Sequence, residues 1–72
     1  MELTRFMQRV GASDQEVAAA IDRDRSTISR IRRKVFDPDA RTLLRLNCWA
    51  DEVARRKRLR RSEWLSWDYL TA

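Results

Sequence analysis

The sequence predicts an all-α domain of four to five short helices. Apolar residues recur at i, i+3, i+4 and i+7, helix start signals stand ahead of such stripes, and the 72 residues include one glycine and one proline. A chain of this length makes one domain with one small core.

Leu3, Phe6, Met7 and Val10 share a stripe of a first helix over about residues 2 to 10. Gly11 ends it, because glycine accepts the left-handed backbone common just past a helix. Ser13 and Glu16 then form a capping box, in which the hydroxyl accepts from the Glu16 amide while the carboxylate accepts from the Ser13 amide. The second helix that starts there carries Val17, Ala18 and Ile21 on one face, and its alanines let a neighbouring helix approach closely. Asp22-Arg23-Asp24 breaks the pattern, with Asp22 suited to a left-handed turn and Asp24 to capping the next helix.

A third helix over about residues 25 to 35 sets Ile28, Ile31 and Val35 on one side and Ser26, Ser29, Arg30 and Arg33 on the other. Asp37-Pro38 reads as an N-cap followed by proline at the first helical position, where the missing N–H costs nothing. The fourth helix has an apolar stripe of Leu43, Leu46, Ala50 and Val53, flanked by Leu44 and Trp49. No breaker appears before the run Arg55-Arg56-Lys57-Arg58-Leu59-Arg60-Arg61.

Residues 62 to 72 admit two readings. Ser62 caps a short helix with Trp64 and Trp67 at i, i+3, or Leu65, Trp67 and Tyr69 alternate with Ser66 and Asp68 as a strand would. A short helix or extended arm, docking its aromatics on the fourth helix or on a second subunit, is expected. The chain thus divides into a domain over 1–54 and a basic, aromatic extension over 55–72.

Composition excludes more chemistry than it suggests. Without histidine there is no imidazole base, no Ser-His or Cys-His pair and no Cys2His2 site. The single Cys48 makes neither an intrachain disulfide nor a thiolate cluster, and reads as a small buried residue in a reducing cytosol. One glycine builds no phosphate-cradling loop. No enzymatic activity, metal or cofactor is therefore expected. The longest apolar run, beginning at Val17, is far below the ~20 residues that span a bilayer, and the N-terminus lacks the apolar core of a signal peptide. A cytoplasmic protein with no membrane partner is expected. Sixteen Lys and Arg against 11 Asp and Glu give +5, which suits a polyanion.

The second and third helices, with a three-residue turn between them and basic and polar residues outward, have the arrangement that delivers side chains into a major groove. The sequence itself resembles a known family there. Residues 13 to 46, from Ser-Asp-Gln-Glu-Val-Ala-Ala-Ala-Ile-Asp-Arg-Asp-Arg-Ser-Thr-Ile-Ser-Arg-Ile through Asp-Pro-Asp-Ala-Arg-Thr-Leu-Leu-Arg-Leu, resemble the phage repressor and Cro type of helix-turn-helix domain. The small Ala18 and the apolar Val17, Ile21, Ile28 and Ile31 stand where that family has such residues.

The resemblance implies a recognition helix over 25–34. Arg25, Ser26 and Arg30 fall where family members touch base edges, with Thr27 and Ser29 beside them. Arginine can offer two parallel donors to guanine, and Ser or Thr serves either base pair. Arg33 and Lys34 at the exit, and Gln15 near the start of the second helix, are implied phosphate contacts, which give affinity without sequence information. Three positions depart from the family pattern. Asp14 stands for its usual glutamine and is placed to orient Arg25, while Asp22 and Lys34 stand for glycines, so the exit backbone is expected to differ.

Overall the resemblance implies a bacterial or phage regulator that binds double-stranded DNA. It would act as a repressor, a homodimer on a pseudo-palindromic operator, and because 72 residues leave no room for a separate effector domain, no small-molecule effector is expected. Trp64, Leu65, Trp67, Tyr69 and Leu70 are the candidate dimer interface, intrachain packing being the alternative. Arg23, Arg32 and Arg41 read equally well as solvated residues. The run 55–61 fits phosphate contacts, a solvated face or an acidic partner. The rival function is a small helix-turn-helix adaptor, antitoxin-like or a phage assembly factor, acting through protein contacts.

Overall fold

Among the described residues four helices succeed one another: α1 over Leu3–Val10, α2 over Asp14–Ile21, α3 over Arg25–Arg32 and α4 over Ala40–Arg56. A 3-10 turn, Arg61–Glu63, comes after them. The computed structural model describes residues 1–35 and 38–65, and the described residues contain no strand. Among the described residues no helix is long and apolar enough to cross a membrane.

α2 starts as its capping box predicts, with both Ser13–Glu16 hydrogen bonds at 3.2 Å. The start of α4 differs from expectation. Its cap is Asp39, whose Oδ1 accepts from the Thr42 amide at 2.8 Å, and Pro38 precedes the cap rather than opening the helix. Both aspartates satisfy the cap chemistry; Asp37 lies outside the described residues. Asp24 occupies the N-cap of α3 in extended backbone, as expected, but its side chain accepts no cap hydrogen bond.

The helices all end in one way, with a left-handed residue followed by one whose amide reaches back along the helix. Ala12 N donates to Met7 O, Arg23 N to Ala18 O, Val35 N to Arg30 O and Leu59 N to Ala54 O, at 2.9 to 3.1 Å. This arrangement satisfies carbonyls that the last helical turn leaves unpaired. Only α1 uses glycine for it. Gly11 has φ +72°, whereas Asp22, Lys34 and Arg58 take φ of +58°, +58° and +55°. Lys34 therefore keeps the left-handed exit expected to change with loss of glycine.

Helix α2 packs against both α3 and α4. Its near-complete burial of Ala18 lets the backbones come close. Leu3, Phe6, Val17, Ile28, Leu46 and Ala54 are fully enclosed, and Phe6 meets the Trp49 ring edge-on at 5.8 Å. Two expected core assignments fail. α3 stops at Arg32, so Val35 lies past the left-handed exit and is 63% exposed, and Cys48 is exposed because it faces away from Leu46, Ala50 and Val53.

The extension from residue 55 is not separate from the domain as far as it is described. Leu65 is buried in the core of its own chain, Leu59 and Trp64 pack against that core, and Arg9 reaches Glu63 at 2.8 Å. Ser62 sits inside the 3-10 turn rather than capping a helix. Leu65 thus takes the intrachain alternative, not the dimer interface expected of it. Trp67, Tyr69 and Leu70 lie outside the described residues.

Holding an L-residue in the left-handed basin costs about 1–2 kcal/mol, partly offset on glycine substitution by greater freedom of the unfolded chain. Arg58→Gly is therefore expected to stabilise the protein by about 0.5–1 kcal/mol in urea titration. A destabilised variant would show that the arginine contributes more than its backbone strain costs.

Candidate nucleic-acid interface

Ile28 and Ile31 seat α3 in the core and so determine what faces outward. At 100° per residue, Ser26, Ser29, Arg30 and Arg33 fall opposite those isoleucines, with Arg25 at the edge of the same face. Arg25, Ser26, Arg30 and Arg33 are exposed, while Ser29 is half-buried. Together with Asp14 and Asp24 they line one open groove. Thr27 turns toward the flank and is half-buried. Gln15, in the first turn of α2, and Lys34, past the exit of α3, are exposed.

The guanidinium groups of Arg25, Arg30 and Arg33 make no hydrogen bond or ion pair with any described residue. Neighbouring arginines are otherwise engaged. Arg32 Nη1 meets Asp14 Oδ1 at 2.5 Å, and its Nε donates to Thr4 Oγ1 at 3.4 Å, so one guanidinium joins α1, α2 and α3. Asp14 therefore holds Arg32 and not Arg25, as its position beside the flank of α3 requires. With side chains 34% and 22% exposed, this pair is better shielded than Arg56–Glu52, at 68% and 73%. Shielding from water and salt is what gives an ion pair weight.

Arg23 is likewise structural rather than solvated. From the turn between α2 and α3 its Nε donates to Thr42 Oγ1 at 3.0 Å and its Nη1 to the Asp22 carbonyl at 2.9 Å. Thr42 is the one buried polar residue among those described, and this bond satisfies it. The Thr42 side chain and amide hold the Asp39 carboxyl below its ordinary pKa, so the turn, the buried threonine and the α4 cap form one chain of hydrogen bonds. Arg41 is exposed.

No model of a protein family, no characterised protein and no solved structure matches the chain.

The basic run is divided in use. Arg61 and Arg55 lie over the Trp64 ring, 4.1 and 5.8 Å from its centre, and the indole N–H donates to the Leu59 carbonyl at 3.1 Å. Arg56 pairs with Glu52 one turn earlier. Lys57, Arg58 and Arg60 are exposed. Glu63, held below its usual pKa by the Arg9 guanidinium and then by the Arg60 amide, fastens the end of the run to α1.

Asp14–Arg32 and the Arg23–Thr42–Asp39 chain escape a reading by periodicity, because their partners are 18 and 19 residues apart in sequence. Only the polar Thr42 on an otherwise apolar stripe hints at a partner.

Asp39 and Glu63 both have lowered folded pKa values. Their contribution is complete above the ordinary carboxylate range and is lost as pH falls through the folded values. Stability is thus expected to fall below about pH 4, and Asp39→Asn combined with Glu63→Gln should flatten that fall in urea titrations across pH. An unchanged acid limb would assign it to other carboxylates.

Proposed function

We propose that the protein is a sequence-specific double-stranded DNA-binding regulator of the helix-turn-helix, Cro/repressor-like type. One observation carries this reading: the outward face of α3 presents Arg25, Arg30 and Arg33 unengaged, beside Ser26 and Ser29, while nearby Arg23 and Arg32 are tied into the fold. Cationic side chains left free on one short helix, with their positions fixed by the isoleucines behind them, suit a polyanion that also has edges to read.

At about 1.5 Å per residue, the eight residues of α3 span about 12 Å, close to the width of the major groove. Arg25 and Ser26 enter first, and Arg30 reaches base edges one turn later, with Ser29 and Thr27 beside it. Arg33, Lys34 and Gln15 bind phosphates on either side of the groove. Asp14, neutralised by Arg32, holds the start of α2 close to α3 without repelling the backbone that Gln15 approaches.

A homodimer would place two such helices about 34–36 Å apart, on half-sites of a pseudo-palindromic operator.

Selection from a random duplex pool tests the reading, the expected product being a two-fold symmetric motif. No motif, together with loss of all binding at modest salt, would favour the protein-binding adaptor instead. Within the motif, Arg30→Ala should relax preference at one position and cost about 1–3 kcal/mol, measured by competition binding. Arg33→Ala should weaken all sequences alike and lower the log-log salt slope by about one. The opposite pattern would place α3 differently in the groove.

A further inference from the structure

We propose that α4 pairs with α4 of a second copy, antiparallel across a two-fold axis beside Cys48. This inference rests on the homodimer in the proposed function and names its surface.

A second open groove runs between the end of α2 and the outer face of α4, and it shares no residue with the groove along α3. Its floor is apolar, with Ala20, Leu44, Cys48 and Trp49. Leu44 is 59% exposed in a chain whose other described leucines are buried or half-buried, so it is a large side chain that the fold itself leaves uncovered. An uncovered apolar strip on a small domain is a site for association.

Charge at the two ends of the strip decides the occupant. Asp22 and Arg45 stand 3.8 Å apart at one end, and Glu52 and Arg56 stand 3.2 Å apart at the other. Each end carries one acid and one base, so this face is neutral although the chain carries +5. Two copies closing here bring Arg41 of one copy near Arg56 of the other, and Arg56 is already paired with Glu52 of its own chain.

The order of the charges also selects the orientation. Arg45 and Glu52 are two turns apart, about 10 Å, with Cys48 and Trp49 midway between them. A two-fold axis at that midpoint turns Arg45 of one copy toward Glu52 of the other, and does so twice, as an isologous interface requires. A parallel arrangement would set Arg45 against Arg45. The antiparallel pair leaves Arg25, Arg30 and Arg33 uncovered, so dimerisation and groove binding are compatible.

Sedimentation of the full chain without DNA tests the surface. A concentration-dependent dimer is expected, with Leu44→Glu weakening it about tenfold or more while helical circular dichroism is unchanged. Arg45→Glu and Glu52→Arg should each weaken the dimer, and the double variant should restore it. A short bismaleimide should trap a covalent dimer through Cys48 in the starting protein and not in Leu44→Glu. A monomer at every concentration, a dimer indifferent to Leu44→Glu, or a double variant no better than its singles would overturn the proposal. A dimer abolished by deleting residues 66–72 and indifferent to Leu44→Glu would assign the interface to the tail. Because no DNA is present, a dimer of the expected behaviour that selects no motif refutes only the DNA reading, and a monomer that selects a single half-site refutes this surface and the homodimer it rests on while leaving DNA binding standing.

Discussion

The seating of α3 on Ile28 and Ile31 is the contact on which the rest depends. An eight-residue helix is too short to persist on its own in water, so packing against neighbours decides whether it forms and which way it faces. Two isoleucines fix its rotation about its axis but resist sliding only weakly. Arg32 supplies the second constraint, since its bonds to Asp14 and Thr4 tie the end of α3 to the starts of α2 and α1. With rotation and register both held, the free guanidinium groups on the far side acquire fixed origins. Direct readout needs that, because a bidentate contact tolerates little displacement.

The hydrogen-bond chain from Arg23 through Thr42 to Asp39 does for the turn what Arg32 does for the helix. It joins the connection before α3 to the cap of the helix after it, so α3 is bracketed from both sides. Each helix also reverses sharply at a left-handed residue. With only one glycine available, three of those reversals fall to residues for which the conformation is strained. The repeated bond from the next amide along keeps the reversals in place, and the packing of half-buried Leu59 against the core, next to Arg58, contributes at the last of them.

The fold was legible wherever one physical rule acted alone. The stripe of α1, the capping box of α2 and the left-handed Asp22 come from spacing and local chemistry, and all are present. Legibility ended where two rules competed. Asp37 and Asp39 both qualify as caps, and the buried Thr42 two residues into α4 favours Asp39, a preference set by a partner in the distant α2–α3 turn. Val35 continues the apolar period of α3, but Lys34 reverses the chain before it. The outward residues of α3 could be placed from the sequence; the separation of engaged from free arginines could not, since charge spacing does not reveal which acids fold back to meet them.

That separation also bears on the densest positive feature of the chain. Of six cations between Arg55 and Arg61, Arg55 and Arg61 lie on Trp64 and Arg56 pairs with Glu52. The run begins in the last turn of α4, where exposed carbonyls give the helix end a partial negative charge that cations offset. The guanidinium groups on Trp64 also hold the indole over the chain reversal that brings Leu65 into the core. About half of the run is therefore spent on ending one helix and returning the chain. The cations that remain for a phosphate or an acidic surface are Lys57 and Arg58, with Arg60 already acting on Glu63, no larger a set than Arg25, Arg30 and Arg33 on α3. Density of charge in the sequence overstates the attraction of the first set, and the fixed placement of the second gives α3 the better claim to sequence-specific contact.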